Sequence, residues 1–595
     1  MNPLAEYQSR LAERRGVSGR EQKRFRWIGN ARLAVGIAGV AMAFFVFGET
    51  VISPWWLVVP AALFAGLVVF HARVVERWER ANRAVSFYER GVARLEDRWM
   101  GGGETGERFR NPAHVYEEDL DLFGKGSLFE LVSTARTRAG EDTLAQWLLA
   151  PAAKEEAVAR QQAIQELRPR LDLREELAIL GAGVRSNLDP DVVAAWGEAP
   201  PVPFPAGARA MTLLVSSAVV LSFGCYMTAV WTRTPLLAAL LVELACWLWL
   251  GARAVRVTVA VNSPSRDLAV LSTLLHKLEN ERFDHPALAD LQRRLSAGSL
   301  VASSEIARLR RLVSLLDWQR NLLFAPIALA ILWGPQLALA IERWRAASGR
   351  HIREWIAAVG EFEALCSLAG YSYEHPADIF PELVETPGGW FEAEGLGHPL
   401  MPAAACVRND VRLGGEIRLM IVSGSNMSGK STLLRTVGLT TVLAWAGAPV
   451  RANGLKISPL RVGASIRIVD SLLDGRSRFY AEITRLREIA RLAEDGGVTT
   501  LFLVDELLSG TNSHDRRIGA GAIVRMLLGH GALGMITTHD LALAEIAAGL
   551  SGQAVNVHFA DSLENGQLHF DYRLLAGIVE RSNALDLMRS VGFEV

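Results

Sequence analysis

The stretch Leu419-Met-Ile-Val-Ser-Gly424-Ser-Asn-Met-Ser-Gly429-Lys430-Ser431-Thr432 is an apolar run that enters Gly-x-x-x-x-Gly-Lys-Ser and continues into Leu433-Leu-Arg-Thr-Val-Gly-Leu. A strand, a glycine-rich loop and a helix in that order cradle nucleotide phosphates: the glycines let the backbone wrap the anion, and the N–H groups and helix N-terminus face its charge. The candidate nucleotide-binding residues are Gly424, Ser425, Asn426, Met427, Ser428, Gly429, Lys430, Ser431 and Thr432. Lys430 is placed to reach the β- and γ-phosphates and the Ser431 hydroxyl to ligate Mg²⁺, so the expected ligands are ATP and Mg²⁺. The fold class that follows is an α/β P-loop domain.

Thr500-Leu-Phe-Leu-Val-Asp505-Glu506 is a second buried-type strand, and it ends in two carboxylates that no apolar core requires. In P-loop ATPases such an aspartate positions the metal, and the adjacent glutamate orients or deprotonates the attacking water, roles that fall to Asp505 and Glu506. A third strand, Gly534-Met-Ile-Thr-Thr538, leads to His539-Asp540, where an imidazole can hydrogen-bond a γ-phosphate. The catalytic candidates are therefore Glu506 and His539, and the metal candidates Ser431 and Asp505.

Ser423-Gly-Ser-Asn-Met-Ser-Gly-Lys-Ser-Thr432 resembles the phosphate loop of the MutS branch of ABC-type ATPases, with Asn426-Met427 its distinctive pair. Further matches follow in order: Val462-Gly-Ala-Ser, Asp470-Ser-Leu-Leu-Asp-Gly475-Arg476-Ser477-Arg-Phe-Tyr-Ala-Glu482, Asp505-Glu506-Leu-Leu-Ser-Gly510-Thr511-Asn-Ser513-His514-Asp515, and Thr538-His539. The resemblance implies a homodimer in which Ser477 and Thr511 contact the nucleotide held by the opposite subunit. It also implies DNA as a partner. Upstream, Thr134–Gly140, Leu144–Pro151 and Arg160–Leu167 are similar to the start of an all-α MutS-like core, and Glu361–Leu365 followed by Gly397-His-Pro-Leu400 to its return into the nucleotide domain. Phe570–Gly577 and Ala584–Gly592 resemble the last strand and helix of that domain. The Phe-x-Glu wedge of a mismatch-reading module and a trailing nuclease-like domain are not evident. Ser425 and Ser428 replace the family's usual Pro and Gly, and Val407–Asp410 offers no aromatic residue to stack on adenine.

Leu33–Phe47, Val51–Phe70, Met211–Trp231 and Pro235–Ala252 are apolar runs paired across short turns, the reading of two transmembrane helical hairpins. Each approaches the roughly 20 apolar residues a bilayer-spanning helix needs. The competing reading is buried core helices. Arg10, Arg14, Arg15, Arg20, Lys23, Arg24, Arg26 and Arg32 precede the first span, Arg73, Arg77 and Arg80 follow the second, and Arg253 and Arg256 follow the fourth. The positive-inside bias predicts a multi-pass protein of the cell inner (plasma) membrane with a cytoplasmic nucleotide domain. A fifth apolar run, Leu322–Ile341, contains Pro326, Pro335 and Gln336 and reads as a buried or re-entrant segment. Glu243 inside the fourth span is either a functional carboxylate or a structural one.

The 63 basic and 64 acidic side chains give no charge excess that would advertise nucleic acid, and the four cysteines show no metal or disulfide spacing. Arg293-Arg294 and Arg308–Arg311 read as solvated helix faces or DNA contacts. The expected organisation is a basic N-terminus (1–30), hairpin 1 (31–72), a helical segment ending in a flexible Gly101–Gly106 linker (73–118), the helical core's first part (119–207), hairpin 2 (208–254), the core's second part (255–375) and the nucleotide domain (376–595). Two functions fit: DNA binding driven by ATP in the manner of mismatch repair, or a membrane mechanoenzyme acting on an unknown protein partner or the bilayer.

Overall fold

The computed structural model describes residues 2–48, 53–181, 189–260, 265–297, 300–321, 324–425, 427–467, 478–508, 511–539, 545–550, 552–564 and 567–579. Pro3 and the Asn2 side chain, which accepts from Leu4 N at 3.1 Å, start a 45-residue helix, α1 (Pro3–Phe47). It pairs with α2 (Val58–Leu95) to form a long hairpin. The two ends of this hairpin obey different rules. Near the termini of α1 and α2, Tyr7, Leu11, Phe87 and Tyr88 are buried, and Ser18 donates to Asn82 at 2.6 Å. Toward the turn, Leu33, Ile37, Val40, Phe44, Trp55 and Val69 are exposed.

The same contrast holds for α8 (Ala208–Met227) and α9 (Arg233–Ala260) below. These four helices are long and apolar enough to cross a membrane. Their most apolar windows are only 6% buried in the first pair and 22% in the second, which argues against the core-helix reading.

Short helices α3 (Leu128–Val132), α4 (Arg138–Leu149), α5 (Lys154–Leu167), α6 (Leu171–Gly181) and α7 (Pro190–Glu198) follow α2. The Gly101–Gly106 run, expected to be a flexible linker, is instead built into this region. The buried Glu130 carboxylate accepts from Gly101 N (2.6 Å), Gly103 N (3.1 Å) and Gly126 N (2.8 Å). Gly106 has φ +66°, and a Cβ there would meet the Phe123 and Phe129 rings at 2.8 Å, so no other residue fits.

After the second hairpin come α10 (Ser265–Asn280), α11 (Pro286–Arg294), the two-residue strands β1 (Ser296–Ala297) and β2 (Leu300–Val301), and α12 (Ala302–Asp317). The fifth apolar run forms the short α13 (Ala325–Ala330), breaks at Leu332 (φ +48°), and resumes as α14 (Trp333–Ser348) against α8, α9 and α12. Helix α15 (Ile352–Glu374) is buried along most of its length and forms the axis on which α4, α5, α7, α10 and α11 pack. Arg293 and Arg294 are paired with Asp290 and Glu361.

A four-stranded sheet has the order β3-β7-β4-β5, from β3 (Glu382–Leu383), β4 (Trp390–Leu396), β5 (Asn409–Gly414) and β7 (Gly454–Ile457). A six-stranded sheet has the order β12-β11-β6-β10-β9-β8, from β6 (Leu419–Ser423), β8 (Leu460–Ser465), β9 (Thr499–Val504), β10 (Leu533–Thr538), β11 (Ala554–Glu564) and β12 (Gln567–Ala576). Its pairings are parallel except β11 with β12. Helices α16 (Lys430–Ala446) and α17 (Arg478–Glu494) pack on it, and α18 (Ser513–Gly529) joins them through Val524 and Leu527, which share an apolar cluster with Ile421 and Phe502. Leu120, Phe129, Trp355, Phe362, Val437, Trp445 and Leu503 belong to one continuous apolar core, so the helical core and the sheets are welded rather than tethered.

Where the first hairpin meets α15, Glu374 accepts from Arg94 Nε and Nη2, both at 2.6 Å, and from Tyr7 Oη at 3.2 Å. The side chains are 12% and 2% exposed for arginine and glutamate. Truncating one partner of a buried pair strands the other charge, so Glu374→Ala is expected to cost roughly 3–5 kcal/mol. The Arg94→Met/Glu374→Met double variant loses less. Thermal unfolding of the purified proteins checks the order.

Candidate functional site

Strand β6 is buried at all five positions between β10 and β11, so the loop after it emerges at the carboxyl end of the sheet's centre, where ligands of open α/β sheets bind. The turn uses backbone that only glycine adopts freely: Gly424 has φ +150° and Gly429, which precedes α16, has φ +102°. Met427 takes the left-handed region as well (φ +71°) and is 85% exposed. Asn426 lies outside the described residues. The Ser425 and Ser428 hydroxyls are buried with no protein partner among the described residues. Lys430 is 5% exposed, and its Nζ donates to the carbonyls of Gly424 (2.8 Å) and Ser425 (2.7 Å). Burial lowers its ammonium, while Asp505 and Glu506 oppose that shift.

Beside the loop, β9 delivers Asp505 and Glu506. The Asp505 N–H donates to the Ser465 carbonyl at 2.9 Å. Thr537, on β10, serves both carboxyl residues: its hydroxyl donates to Asp505 Oδ1 and accepts from Glu506 N at 2.9 Å. Glu506 is left-handed (φ +47°), which throws its carboxylate out of the strand line. His539 Nδ1 lies 3.7 Å from Glu506 Oε1.

Gly429, Lys430, Ser431, Thr432, Met427 and Glu506 line one cavity of about 700 Å³. Its far wall is formed by His398, Cys406, Val407, Asn409, Phe559 and Tyr572. No aromatic comes from Val407–Asp410, as expected, but Tyr572 supplies one from β12. It is left-handed (φ +55°), its carbonyl accepts from Asn409 Nδ2 at 3.0 Å, and Asn409 Oδ1 accepts from Leu574 N at 2.7 Å. A Cβ on Gly429 would stand 3.3 Å from the Tyr572 ring, so the ring closes directly over the loop.

Sequence reasoning missed Tyr572, Asn409 and Thr537. An aromatic at alternate spacing with Phe570 was the only signal for Tyr572. Thr511 is described but does not line this cavity: its N–H donates to Leu508 O at 3.4 Å and its carbonyl accepts from Arg516 Nη2 at 3.1 Å. Ser477 lies outside the described residues, as do Gly475, Arg476, Gly510, Asp540 and the 584–592 segment.

His398 is 9% exposed, and its Nδ1 accepts from Leu400 N at 3.2 Å. Burial, with Arg435 and Arg451 nearby, pushes the imidazole down from 6.5 to about 4. The folded state therefore binds fewer protons than the unfolded state between those values. The resulting stability is complete above about 6.5 and is lost as the pH falls toward about 4, at no more than roughly 1.4 kcal/mol per pH unit. His398→Asn keeps an acceptor for the Leu400 N–H without the titration, so its unfolding midpoint is expected to vary less with pH across that window.

The family described as MutS domain V matches residues 420–594. An endonuclease MutS2 of Thermomicrobium roseum is 33% identical over 234 residues, 36% of this chain and 28% of the relative. An endonuclease MutS2 of Thermus thermophilus is 36% identical over 210 residues, 34% of this chain and 26% of the relative. A DNA mismatch repair protein MutS of Natronomonas pharaonis is 34% identical over 268 residues, 43% of this chain and 30% of the relative. The chain thus spans less than a third of the length of these curated relatives. Strand β6 and all that follows it lie within or at the edge of the matched domain, and it is this C-terminal region that belongs to the MutS family.

Proposed function

We propose that this chain is a membrane-anchored MutS-like ATPase. ATP closes a head-to-tail homodimer, hydrolysis opens it, and the cycle governs DNA binding of the mismatch-repair type named for its relatives. The observation that carries the reading is the convergence of the glycine loop, Glu506 and Tyr572 on one cavity, with Asp505 held beside it by Thr537. The loop N–H groups from Gly424 to Thr432 and Lys430 bind the phosphates, and Tyr572 stacks on the base. Lys430, which here holds loop carbonyls, exchanges those partners for phosphate oxygens.

Ser431 and Asp505 form an oxygen-only donor set that suits Mg²⁺ carried in with a nucleotide. The metal would supply charge neutralisation at the β- and γ-phosphates. Glu506 accepts the proton of the attacking water, and His539 steadies Glu506 and the γ-phosphate. Ser477 and Thr511 act on the nucleotide of the opposite subunit. The two hairpins anchor the dimer in the inner membrane with this site on the cytoplasmic side.

One observation favours a second reading. Hairpin 1 is clamped to α15 through Arg94 and Glu374, so motion of the core is transmitted to the apolar helices. On that reading the ATPase cycle works on the bilayer or a protein partner without DNA.

Lys430→Ala is expected to abolish tight ATP binding. Glu506→Gln is expected to slow hydrolysis by roughly 100-fold or more while leaving the nucleotide bound; unimpaired turnover in this variant would overturn the role of Glu506. Hydrolysis by the detergent-solubilised protein, measured with and without duplex, mismatched and branched DNA, separates the two readings. Stimulation that weakens steeply with salt supports DNA binding. Activity that depends on Glu506 but is indifferent to DNA moves the function to the membrane partner.

A further inference from the structure

Glu243 lies in the middle of the apolar part of α9. Its neighbours Leu241, Val242 and Leu244 are exposed, but Glu243 is only 6% exposed. With the buried Cys246, Leu250 and Val257 it forms a stripe at spacings of three, four and seven, the face of α9 that packs on α8 and α14. The stripe meets the break between α13 and α14, where Leu332 adopts φ +48°. The carboxyl group faces the Leu332 N–H, which also donates to the Leu329 carbonyl at 3.1 Å. Glu243 Oε1 is buried and has no hydrogen-bond partner among the described residues. Gln336, the amide side chain one turn further along α14, is committed to Ser216 Oγ (3.2 Å) and the Ile331 carbonyl (2.7 Å).

Among the described residues, no cation is placed to balance a negative charge there. Helix α8 carries Arg209 alone, in its first turn, with Cys225 and Tyr226 near its other end. Helix α13 has no titratable residue, and α14 has none before Glu342, Arg343 and Arg345, well over two turns past Leu332. On α9 itself, Arg233 and Arg253 stand ten residues to either side, about 15 Å along the axis, and Cys246 is the neighbouring titratable group. A carboxylate with one shared backbone donor is costly in such surroundings, whereas the neutral acid can donate its own O–H.

We propose that Glu243 is a proton-binding site within the second hairpin: the protonated acid closes the α8–α9–α14 seam at the helix break, and loss of the proton to water opens it. The inference rests on the proposed membrane placement of α8 and α9. It gives hairpin 2 a function beyond anchoring, since α14 leads within a few residues into α15.

Dicyclohexylcarbodiimide, an apolar reagent that adds to protonated carboxyl groups, is the probe. Its central carbon bonds to the carboxyl oxygen, the acid proton moves to nitrogen, and rearrangement leaves an N-acylurea. In nanodiscs at mildly acidic and neutral pH, peptide mass spectrometry is expected to find the adduct on Glu243, to find it fading in alkaline buffer, and to find none in Glu243→Gln. Hydrogen exchange across Trp333–Ser348, corrected for intrinsic rates, is expected to quicken with alkaline pH in the wild type but not in Glu243→Gln. Retained ATP hydrolysis reports that the variant is folded. Absence of the adduct under mildly acidic conditions, or identical exchange profiles for the two proteins, overturns the proposal. Release of the protein from membranes by alkaline carbonate overturns the membrane placement instead, and is scored separately.

Discussion

The buried carboxylate of Glu374 is the joint on which the arrangement of parts depends. Helix α15 is apolar over most of its surface, which lets it run through the middle of the helical core, but it carries three acidic residues that each fix a different element. Glu361 holds Arg294 of α11. Glu363 accepts from Arg136 N (2.9 Å) and from Thr137 N (3.1 Å), fixing the start of α4. Glu374 takes both ends of hairpin 1 at once, Tyr7 from α1 and Arg94 from α2. At Glu363 and Glu374 the helix behaves as a rigid strut, because losing either carboxylate strands donors or a charge in the core, whereas the Glu361–Arg294 pair, 28% and 35% exposed on its arginine and glutamate, adds little.

Four non-glycine residues with positive φ, Met427, Glu506, Leu508 and Tyr572, cluster around the cavity and its carboxylate strand. Such backbone costs of order 1–3 kcal/mol per residue and persists only where surrounding contacts over-determine it. For three of them those contacts are visible: Thr537 accepts from Glu506 N, Glu482 accepts from Leu508 N at 2.6 Å, and Asn409 bridges the Tyr572 carbonyl and the Leu574 N–H. Strain concentrated at one cavity, and held there by specific hydrogen bonds, fits a site whose geometry is set before a ligand arrives.

The central strands were legible because parallel strands buried on both faces read as unbroken apolar runs, and because Gly-x-x-x-x-Gly-Lys-Ser has few structural uses. The apolar hairpins were legible for a similar reason, since length and hydropathy are local properties. What escaped depended on partners distant in sequence. Tyr572 reaches Asn409 across 163 residues, and nothing in the alternation of β12 says which aromatic turns toward the loop. Gly101–Gly106 looked like a linker because glycine runs usually are, but a carboxylate at Glu130 collects its amides. The fifth apolar run, with its two prolines, forms two helices rather than one, although the site of the break, Leu332, carries no signal of its own.

The connection between the cavity and the helical core can be ranked by burial. Asp121 pairs with Arg435 of α16 at 2.9 Å and with Arg467 at 3.0 Å, but these side chains are between 26% and 52% exposed, and such pairs contribute little. Asp119 is 3% exposed and accepts from Ile466 N at 2.6 Å and Arg467 N at 2.7 Å. Charge-assisted bonds to backbone at a buried position are the stronger kind. The chain leaving β8 is therefore gripped by the core immediately before residues 468–477, the segment that carries Ser477. On the proposed function, a pull on the chain beyond Arg467 would be felt first at Asp119, then through the shared apolar core at α15, and at Glu374 by hairpin 1, so the path from the cavity to the apolar helices runs through buried carboxylates.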